Sequence, residues 1–371
     1  MWKSKVLIVD NTAFSEKDNG LFVTPSTGNL VVDLLKQNYK VELLQFRKIP
    51  KGIDLIHFYP ISNLNLKITS VRHSSRYKLL SYAKITFMSI PCLLRNDFIY
   101  FFYPSSLRYL ALLSLIFKKK IGFNIRGERK ISDGISIFLY KRAKLIFTVS
   151  PHFTELAKKY CAQTFNKRPT IEYSIDDMVT KRDFVNRRSY RLLFLSRLDL
   201  DKGILDLLDA MKILNDRNTF NIELLIVGDG DAIVDIKNKI SENALNNVIL
   251  YGAETSKNKI KSLYVESDLY ILPSYHEGFP RTLYEAMIFK TPILTTFVGG
   301  IGCIMNSGYN CYKIEPHNPM DIADKIEFVF SNYSDMKIIT DNASKTYLEY
   351  IEKLPYSHGE HLGRLLSDVI L

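Results

Sequence analysis

Residues 273–287 read PSYHEGFPRTLYEAM and lie between an apolar strand, Leu269–Leu272, and a helical pattern that begins near Thr282. Two carboxylates stand in this segment, Glu277 in the loop and Glu285 in the first turn of the helix. In a doubly wound sheet, ligands bind beyond the carboxyl ends of the strands, where helix N-termini offer amides to anions. We therefore predict that both carboxylates face one ligand. An alternative stays open for Glu285, because Thr282 and Glu285 also match a helix capping box.

The alternation of strand-like and helical runs extends outward from this segment over most of the chain. It covers residues 192–296 and, separately, the stretch from Lys5 to the helix that begins near Pro151. Such alternation predicts parallel sheets covered by helices, and a length of 371 residues suits two domains. The polar, charged stretch 168–191 has the composition of a linker. We predict an N-terminal Rossmann-like domain at 1–185 and a C-terminal one at 186–344, with the helical tail 345–371 packing back on the first.

Two further turns of the C-terminal half follow predicted strands. Arg197 and Lys202 flank the turn after the strand at 192–195, and Gly228 lies in the turn Val-Gly-Asp-Gly after the next strand. A planar guanidinium and a compact ammonium together can neutralise a nucleoside diphosphate, and glycine lets a nucleotide approach the backbone. A solvated lysine at a helix start and a simple tight turn explain the same residues, so both interpretations stay open at this point.

As a set, these segments resemble glycosyltransferase family 4 of the GT-B fold. The resemblance rests on the two glutamates with seven residues between them, together with Gly-Phe-Pro and Glu-Ala-Met, on Arg197 with Lys202, on Val-Gly-Asp-Gly, and on Val-Gly-Gly-Ile at 298–301. It covers residues 190–335 well and the N-terminal half only by pattern. It implies an α/β protein whose two Rossmann-like, doubly wound domains face a central cleft, and retaining transfer from a nucleotide diphosphate sugar without a metal or other cofactor.

The resemblance also implies roles for individual residues. Arg197 and Lys202 would bind the donor diphosphate, Glu285 the ribose hydroxyls and Glu277 the hydroxyls of the transferred sugar. Backbone amides of the 278–283 stretch would hold the sugar and the diphosphate, and Tyr251 would lie near the base. The implied catalytic residues are Glu277, Arg197 and Lys202, and the implied donor site comprises Arg197, Lys202, Gly228, Tyr251, Glu277, Gly278, Phe279, Pro280, Thr282, Leu283 and Glu285.

The N-terminal half departs from the family pattern at two places. Its first loop has Asn19-Gly20 instead of a glycine pair, and Arg126 follows the strand at 121–125 where the family commonly has a histidine. We expect Asn19, Gly20 and Arg126 to contact the acceptor or the transferred sugar. For Arg126, an ion pair with Glu128 is an equal alternative.

Charge is distributed unevenly along the chain. Residues 1–190 hold 32 Lys and Arg against 14 Asp and Glu, whereas residues 191–371 hold 18 against 25. A basic half suggests anionic lipid or phosphate-bearing acceptors as partners; we expect no nucleic acid. The basic, apolar segment 72–94 predicts docking on an anionic membrane surface, with a core helix that has a basic outer face as the alternative. The start of the sequence lacks a signal-peptide pattern, so we expect a cytoplasmic location, peripheral on the inner face of the membrane.

The histidines and the four cysteines form no metal-binding pattern, and we expect a metal-independent enzyme. We predict a retaining hexosyltransferase that acts on a glycan or polyprenyl-diphosphate-linked acceptor. Its product would belong to bacterial cell-surface polysaccharide, namely lipopolysaccharide, O-antigen or capsule. The alternatives are another GT-B activity, such as a nucleotide-sugar epimerase, and a non-catalytic GT-B partner subunit or nucleic-acid-binding module.

Overall fold

The alternating pattern of the sequence forms two sheets in two compact units of the computed structural model. The structure describes residues 2–10, 12, 14–17, 20–48, 59–72, 77–127 and 132–370. Unit 1 comprises Met1–Thr170 together with Leu354–Leu371, and unit 2 comprises Ile171–Lys353. Each unit is an α/β layer structure built on its own sheet.

The sheet of unit 1 has ten strands within the described residues, in the order β10-β9-β8-β7-β1-β4-β2-β3-β5, with β6 also pairing with β4. The central strands are parallel, and only the β2-β3 and β3-β5 pairs are antiparallel. The strands are β1 Lys5–Val9, β2 Phe14–Lys17, β3 Gly20–Val23, β4 Lys40–Lys48, β5 Tyr59–Pro60, β6 Lys67–Arg72, β7 Phe98–Tyr103, β8 Lys120–Ile125, β9 Leu145–Thr148 and β10 Thr164–Asn166. The helices are α1 Pro25–Lys36, α2 Lys78–Arg95, α3 Tyr109–Ile116, α4 Gly134–Tyr140, α5 Pro151–Lys158 and the C-terminal α12 His358–Ile370.

The sheet of unit 2 is parallel, with the order β13-β12-β11-β14-β15-β16. Its strands are β11 Ser189–Leu195, β12 Asn221–Val227, β13 Val248–Gly252, β14 Leu269–Leu272, β15 Ile293–Thr295 and β16 Tyr312–Lys313. Its helices are α6 Ile204–Arg217, α7 Ile233–Glu242, α8 Lys257–Glu266, α9 Arg281–Ile288, α10 Pro319–Ser331 and α11 Met336–Glu352. The strand order reverses between β11 and β14. Such a reversal opens a crevice at the carboxyl ends of the two strands, which is where ligands bind in this class of sheet.

The C-terminal helix α12 packs on α1 of unit 1. Leu362 and Leu366 are fully buried, and the Tyr39 hydroxyl donates to the Gly363 carbonyl at 2.7 Å. At Gly359 an added Cβ would lie 2.5 Å from Asp33 Cβ, so a glycine is needed for the close approach of the two helices. The last helix is therefore fixed to the first unit by apolar burial and by direct backbone contact.

The division into units differs from the predicted boundary at 185/186, because the stretch that resembles a linker packs on unit 2. The Tyr173 ring meets Phe289 edge-on at 4.6 Å, and Arg182 Nη1 donates to the Tyr264 carbonyl at 3.2 Å. At the other end, α11 stays with unit 2, where Ser344 Oγ donates to the Met287 carbonyl at 2.8 Å. The returning tail thus begins at Leu354 rather than at residue 345.

Helix α2 is apolar on both of its faces. Ile85, Cys92 and Leu93 are buried against the sheet, whereas Leu80 and Phe87 are 67% and 78% exposed on the outer side. Leu79, Met88 and Leu94 are also exposed, and Lys84 lies among them. Within residues 77–95, α2 therefore packs as a core helix whose outer face exposes Lys78 and Lys84 together with large apolar side chains. No helix in the described ranges has the length and apolar character needed to cross a membrane.

Candidate functional site

The turn after β11 lies directly against the loop after β14. Gly203, which ends this turn, has a φ of +69°, and a Cβ there would lie 2.0 Å from the Pro273 carbonyl oxygen. The Tyr275 amide donates to the Asp201 carbonyl at 2.8 Å. Because the two loops touch through their backbones, they place the side chains of both at the crevice between β11 and β14.

Lys202 and Glu277 form an ion pair at this crevice. The Lys202 Nζ lies 2.7 Å from Glu277 Oε1, and each side chain is only 10% exposed. The Ser274 hydroxyl donates to the same oxygen at 2.9 Å. Both donors contact Oε1. Because no donor among the described residues contacts Oε2 of Glu277, that oxygen can accept a hydrogen bond from a ligand. The sequence placed Lys202 and Glu277 at this site but not their contact, and it missed Ser274, which stands three residues before Glu277 in the same loop.

Glu285 lies in the second turn of α9 and is partly buried. The Tyr264 hydroxyl donates to Glu285 Oε2 at 3.1 Å. Burial raises the pKa of the Glu285 carboxyl, and the charge of Arg281 and the hydrogen bond from Tyr264 oppose that increase only in part. A carboxylate kept in such surroundings is a strong acceptor for ligand hydroxyls.

The capping-box interpretation of Thr282 and Glu285 is wrong. Helix α9 begins at Arg281 with Pro280 as its N-cap, so Thr282 is already inside the helix. The Thr282 hydroxyl accepts a hydrogen bond from the Tyr270 hydroxyl at 2.6 Å. No side chain of the described residues caps the start of α9. The Leu283 amide donates to the Pro280 carbonyl at 3.2 Å, and the two amides before it, of Arg281 and Thr282, remain able to meet an anion.

The loop that carries Glu277 is held from the other side by a glycine turn. Gly299 has a φ of +58°, and a Cβ there would lie 1.8 Å from the Glu277 carbonyl oxygen. The neighbouring Gly300 amide donates to the Gly278 carbonyl at 2.9 Å. The backbone of residues 277–278 is thus fixed by contact with residues 299–300.

We expect Gly299→Ala to cost about 1–3 kcal/mol of unfolding free energy and to lower the affinity for the donor, because the new methyl group must displace the Glu277 backbone. Gly308→Ala is the matched control, since Gly308 also has a positive φ of +78° but has nothing within 4 Å of an added Cβ. Urea unfolding and nucleotide titration of both variants measure the difference. Equal effects of the two substitutions would mean that the contact with Glu277 does not matter.

The remaining donor-site candidates occupy the same edge of the sheet with different exposures. Arg197 Nη1 lies 2.9 Å from Asp199 Oδ2, and the Arg197 side chain is 53% exposed. Gly228 has a φ of +146°, and a Cβ there would lie 2.0 Å from the Ser196 carbonyl oxygen. Tyr251 is 42% exposed at the end of β13. The turns after β11 and β12 therefore touch each other, which places Arg197 beside Gly228.

Phe279 and Leu283 take part in the core rather than in the crevice. Phe279 packs its ring 4.4 Å from the ring of Tyr284, and Leu283 is fully buried. Only the backbones of these two residues can meet a ligand.

Unit 1 has a second polar cluster at the carboxyl ends of its strands. Asp10 directly follows β1 and is buried, and it accepts hydrogen bonds from the Thr12 amide at 3.0 Å and from the Thr27 hydroxyl. Arg126 directly follows β8; its Nη2 lies 3.3 Å from Asp10 Oδ1 and its guanidinium lies 4.5 Å from the centre of the Phe102 ring. The sequence interpretation missed Asp10 and Thr27, although the position of Asp10 at a strand end was a usable signal.

Three predictions for the first unit have different outcomes. Arg126 is paired with Asp10; its predicted alternative partner Glu128, like Asn19, lies outside the described residues. Gly20 begins β3 and pairs with Lys17 of β2. Among the described ranges, no group of three or more His, Cys, Asp or Glu residues is arranged to hold a metal ion.

The chain has the GT-B fold. It is similar over its whole length to the crystal structure of Anabaena Alr3699/HepE in complex with UDP and glucose, with a TM-score of 0.71 and 16% identity, covering 99% of this chain and 100% of that chain. Residues 180–346, which make up most of unit 2, match the family model described as Glycosyl transferases group 1.

Two relatives match part of the sequence. An uncharacterized glycosyltransferase of Methanocaldococcus jannaschii is 31% identical over 168 residues, which is 45% of this chain and 46% of that protein. The capsular polysaccharide biosynthesis glycosyltransferase CapM of Staphylococcus aureus is 28% identical over 159 residues, 41% of this chain and 40% of that protein. The aligned residues thus span less than half of the length of either relative.

Proposed function

We propose that this chain is a retaining glycosyltransferase that moves a hexose from a nucleotide diphosphate sugar to a glycan acceptor. The observation that carries the proposal is the nearly buried pair of Lys202 and Glu277 at the strand-order reversal, beside the uncapped start of α9. A cation, a carboxylate and open amides at one crevice are the groups that a phosphorylated sugar requires. The similarity of unit 2 to group 1 glycosyltransferases supports the same function.

Each residue of the site has a proposed role in donor binding. Lys202 and Arg197 hold the diphosphate, Glu277 accepts hydrogen bonds from the sugar hydroxyls through its open oxygen, and Glu285 accepts them from the ribose. The backbone amides of Gly278 and Phe279, next to Pro280, hold the sugar. The amides of Thr282 and Leu283 bind the diphosphate. Gly228 is proposed to present its backbone to the nucleotide, and Tyr251 to lie against the base. In unit 1, Arg126, Gly20 and Asn19 are proposed to contact the acceptor or the sugar.

The proposed reaction requires no metal or other cofactor. The bond between the anomeric carbon and the diphosphate oxygen breaks, and the acceptor oxygen forms a new bond to that carbon on the same face. The acceptor proton goes to the departing diphosphate oxygen. Negative charge grows on the diphosphate as it leaves, so the fixed charges of Lys202 and Arg197 and the amides of α9 lower the barrier.

A panel of nucleoside diphosphates in a thermal-shift assay selects the base, and the matching nucleotide sugars are then tested for transfer to glycan and polyprenyl-diphosphate-linked acceptors. We expect a rise in the unfolding temperature with one nucleotide, release of that nucleotide, and a product with the donor's anomeric configuration by NMR. The activity should survive EDTA. Absence of nucleotide binding, or an epimerised donor without transfer, would rule the proposal out.

We further propose that the acceptor is lipid-linked and that unit 1 works as a peripheral protein on the cytoplasmic face of the membrane, in cell-surface polysaccharide synthesis. Two observations support this. The outer face of α2 exposes Leu80, Phe87 and Leu94 around Lys84, and the first 190 residues carry a large excess of positive charge. Exposed hydrocarbon beside positive charge is what an anionic lipid surface binds.

Leu80→Ser/Phe87→Ser should lower binding to vesicles that contain phosphatidylglycerol by about tenfold or more, since each side chain loses roughly 1–2 kcal/mol of apolar burial in the membrane. Ile338→Ser is the matched control, because Ile338 is 67% exposed on α11 of the other unit. Cosedimentation measures the bound fraction. If the double variant pellets as well as the native chain, α2 is not the membrane-binding surface.

A further inference from the structure

A cavity of about 380 Å³ opens at the amino-terminal edge of the unit 1 sheet. Its wall includes the first residues of three neighbouring strands, Lys5 of β1, Lys40 of β4 and Lys67 of β6. Asp10 and Arg126 stand at the opposite edge of the same sheet, and β1, with five residues, separates the edges by about 15 Å. The cavity is therefore distinct from the polar cluster of unit 1 and from the site of unit 2.

The carboxylate in this cavity is already neutralised. Glu42 is 4% exposed, and Arg95 donates to both of its oxygens, through Nε to Oε2 at 2.8 Å and through Nη2 to Oε1. The Asn96 amide donates to Oε2 at 2.9 Å, and the Thr69 hydroxyl to Oε1 at 3.1 Å. Burial alone would raise the pKa of Glu42, but the hydrogen bonds from Arg95 and Asn96 outweigh it and hold the pKa below its ordinary value. Glu42 thus stays ionised, and both of its oxygens already accept hydrogen bonds from Arg95, Asn96 and Thr69.

The three lysines are near carboxylates but not bonded to them through their ammonium groups: Lys67 stands opposite Glu42 in the β4-β6 register, and Asp97 accepts a hydrogen bond from the Lys5 backbone amide at 2.9 Å. In the part of the chain that the structure describes, none of the ammonium groups of Lys5, Lys40 and Lys67 forms an ion pair with a carboxylate. Lys5 and Lys40 also stand opposite each other in the β1-β4 register. Like charges directly opposite on neighbouring strands destabilise a sheet. A bound anion would relieve this repulsion.

One side of the cavity is apolar and aromatic. Trp2, which is the single tryptophan of the chain, lines it together with Val41 and Leu66. The Lys40 ammonium lies 6.0 Å from the centre of the Trp2 ring. Asn65 and Asn96 add polar groups between the apolar wall and the lysines. A ligand that fits this lining has an anionic group at one end and an apolar or planar group at the other.

We propose that this cavity binds an organic phosphate, with the phosphate held by Lys5, Lys40 and Lys67 and the remainder of the ligand packed on Trp2. Compact ammonium groups suit phosphate oxygens, and several of them around one group give charge-assisted hydrogen bonds. The ligand is either the head group of an anionic phospholipid or a free phosphate ester. The site is independent of sugar transfer, because its residues belong to neither the donor site nor the Arg126 cluster.

The emission of Trp2 reports on the cavity directly, since no other tryptophan contributes. The complete chain is titrated with glycerol phosphate, with inorganic pyrophosphate, and with phosphatidylcholine vesicles with or without phosphatidylglycerol. We expect a saturable change of Trp2 emission with at least one phosphate probe. A response to the soluble probes identifies a free phosphate ester as sufficient, whereas a response confined to phosphatidylglycerol vesicles identifies the lipid head group.

Lys40→Gln/Lys67→Gln should raise the half-saturating concentration of the phosphate probe about tenfold or more, because two charge-assisted contacts are lost. The matched control is Lys141→Gln/Lys144→Gln, which removes two exposed lysines of the same unit outside the cavity, one of them just before β9. Nucleotide binding at unit 2 should stay unchanged in both variants. The proposal is overturned if no probe alters Trp2 emission, or if the control variant weakens binding as much as the cavity variant does.

Discussion

Lys202→Met is expected to lower the turnover number for sugar transfer by about 10²–10³-fold, with little change in the Michaelis constant for the donor. The ammonium group lies 2.7 Å from Glu277 at the crevice and is only 10% exposed, so its charge is poorly screened by water. Removing one fixed donor that stabilises developing negative charge typically costs about 2.7–4 kcal/mol of activation free energy. Steady-state kinetics with the donor selected by the nucleotide panel measure the change.

Two controls separate catalysis from stability in this experiment. Lys239→Met removes a lysine of the same unit that forms a 2.7 Å ion pair with Asp209 between two helices, and its turnover should stay near the native value. Lys202→Met alone leaves Glu277 with the Ser274 hydroxyl as its remaining donor in the described structure, which destabilises the fold. The double variant Lys202→Met/Glu277→Gln should regain stability without regaining turnover. A native turnover number in Lys202→Met would remove the basis of the proposed mechanism.

Glu285→Gln is expected to weaken nucleotide binding about 10- to 100-fold, because a hydrogen bond to a charged group contributes roughly 1.5–3 kcal/mol. The same substitution should make the free protein more stable at neutral pH. Burial raises the pKa of this carboxyl, so the folded chain bears an unfavourable charge whenever Glu285 is ionised. Calorimetric titration and urea unfolding at pH 7.5 test the two opposite effects together.

The pH dependence of stability follows from the direction of that shift. Between the ordinary glutamate pKa of 4.5 and the raised folded-state pKa, the folded chain binds more protons than the unfolded chain. The contribution of Glu285 to stability is therefore favourable at low pH and is lost as the pH rises through the folded-state pKa. The stability difference between Glu285→Gln and the native chain should shrink as the pH falls to 4.5. A pH-independent difference between Glu285→Gln and the native chain would contradict the burial argument.

Local patterns were sufficient to place most of the candidate site. Lys202, Glu277 and Glu285 each follow a short apolar strand, and residues at strand ends of a parallel sheet meet at one edge whatever their distance in sequence. The same logic would have found Asp10, which follows β1 directly. The capping-box alternative failed because a four-residue pattern cannot reveal that the Tyr270 hydroxyl, twelve residues away, already donates to Thr282.

The sequence alone determined two alternating α/β units, the strand ends that carry the polar residues, and the basic character of the first half. Periodicity and turn residues encode these features locally. Only the tertiary structure decided that Lys202 pairs with Glu277 75 residues away, that Arg126 pairs with Asp10, and that the outer face of α2 exposes leucine and phenylalanine side chains beside its lysines. Those outcomes depend on which strands become neighbours and on what covers each helix, because ion pairing and burial are set by distances across the fold rather than along the chain.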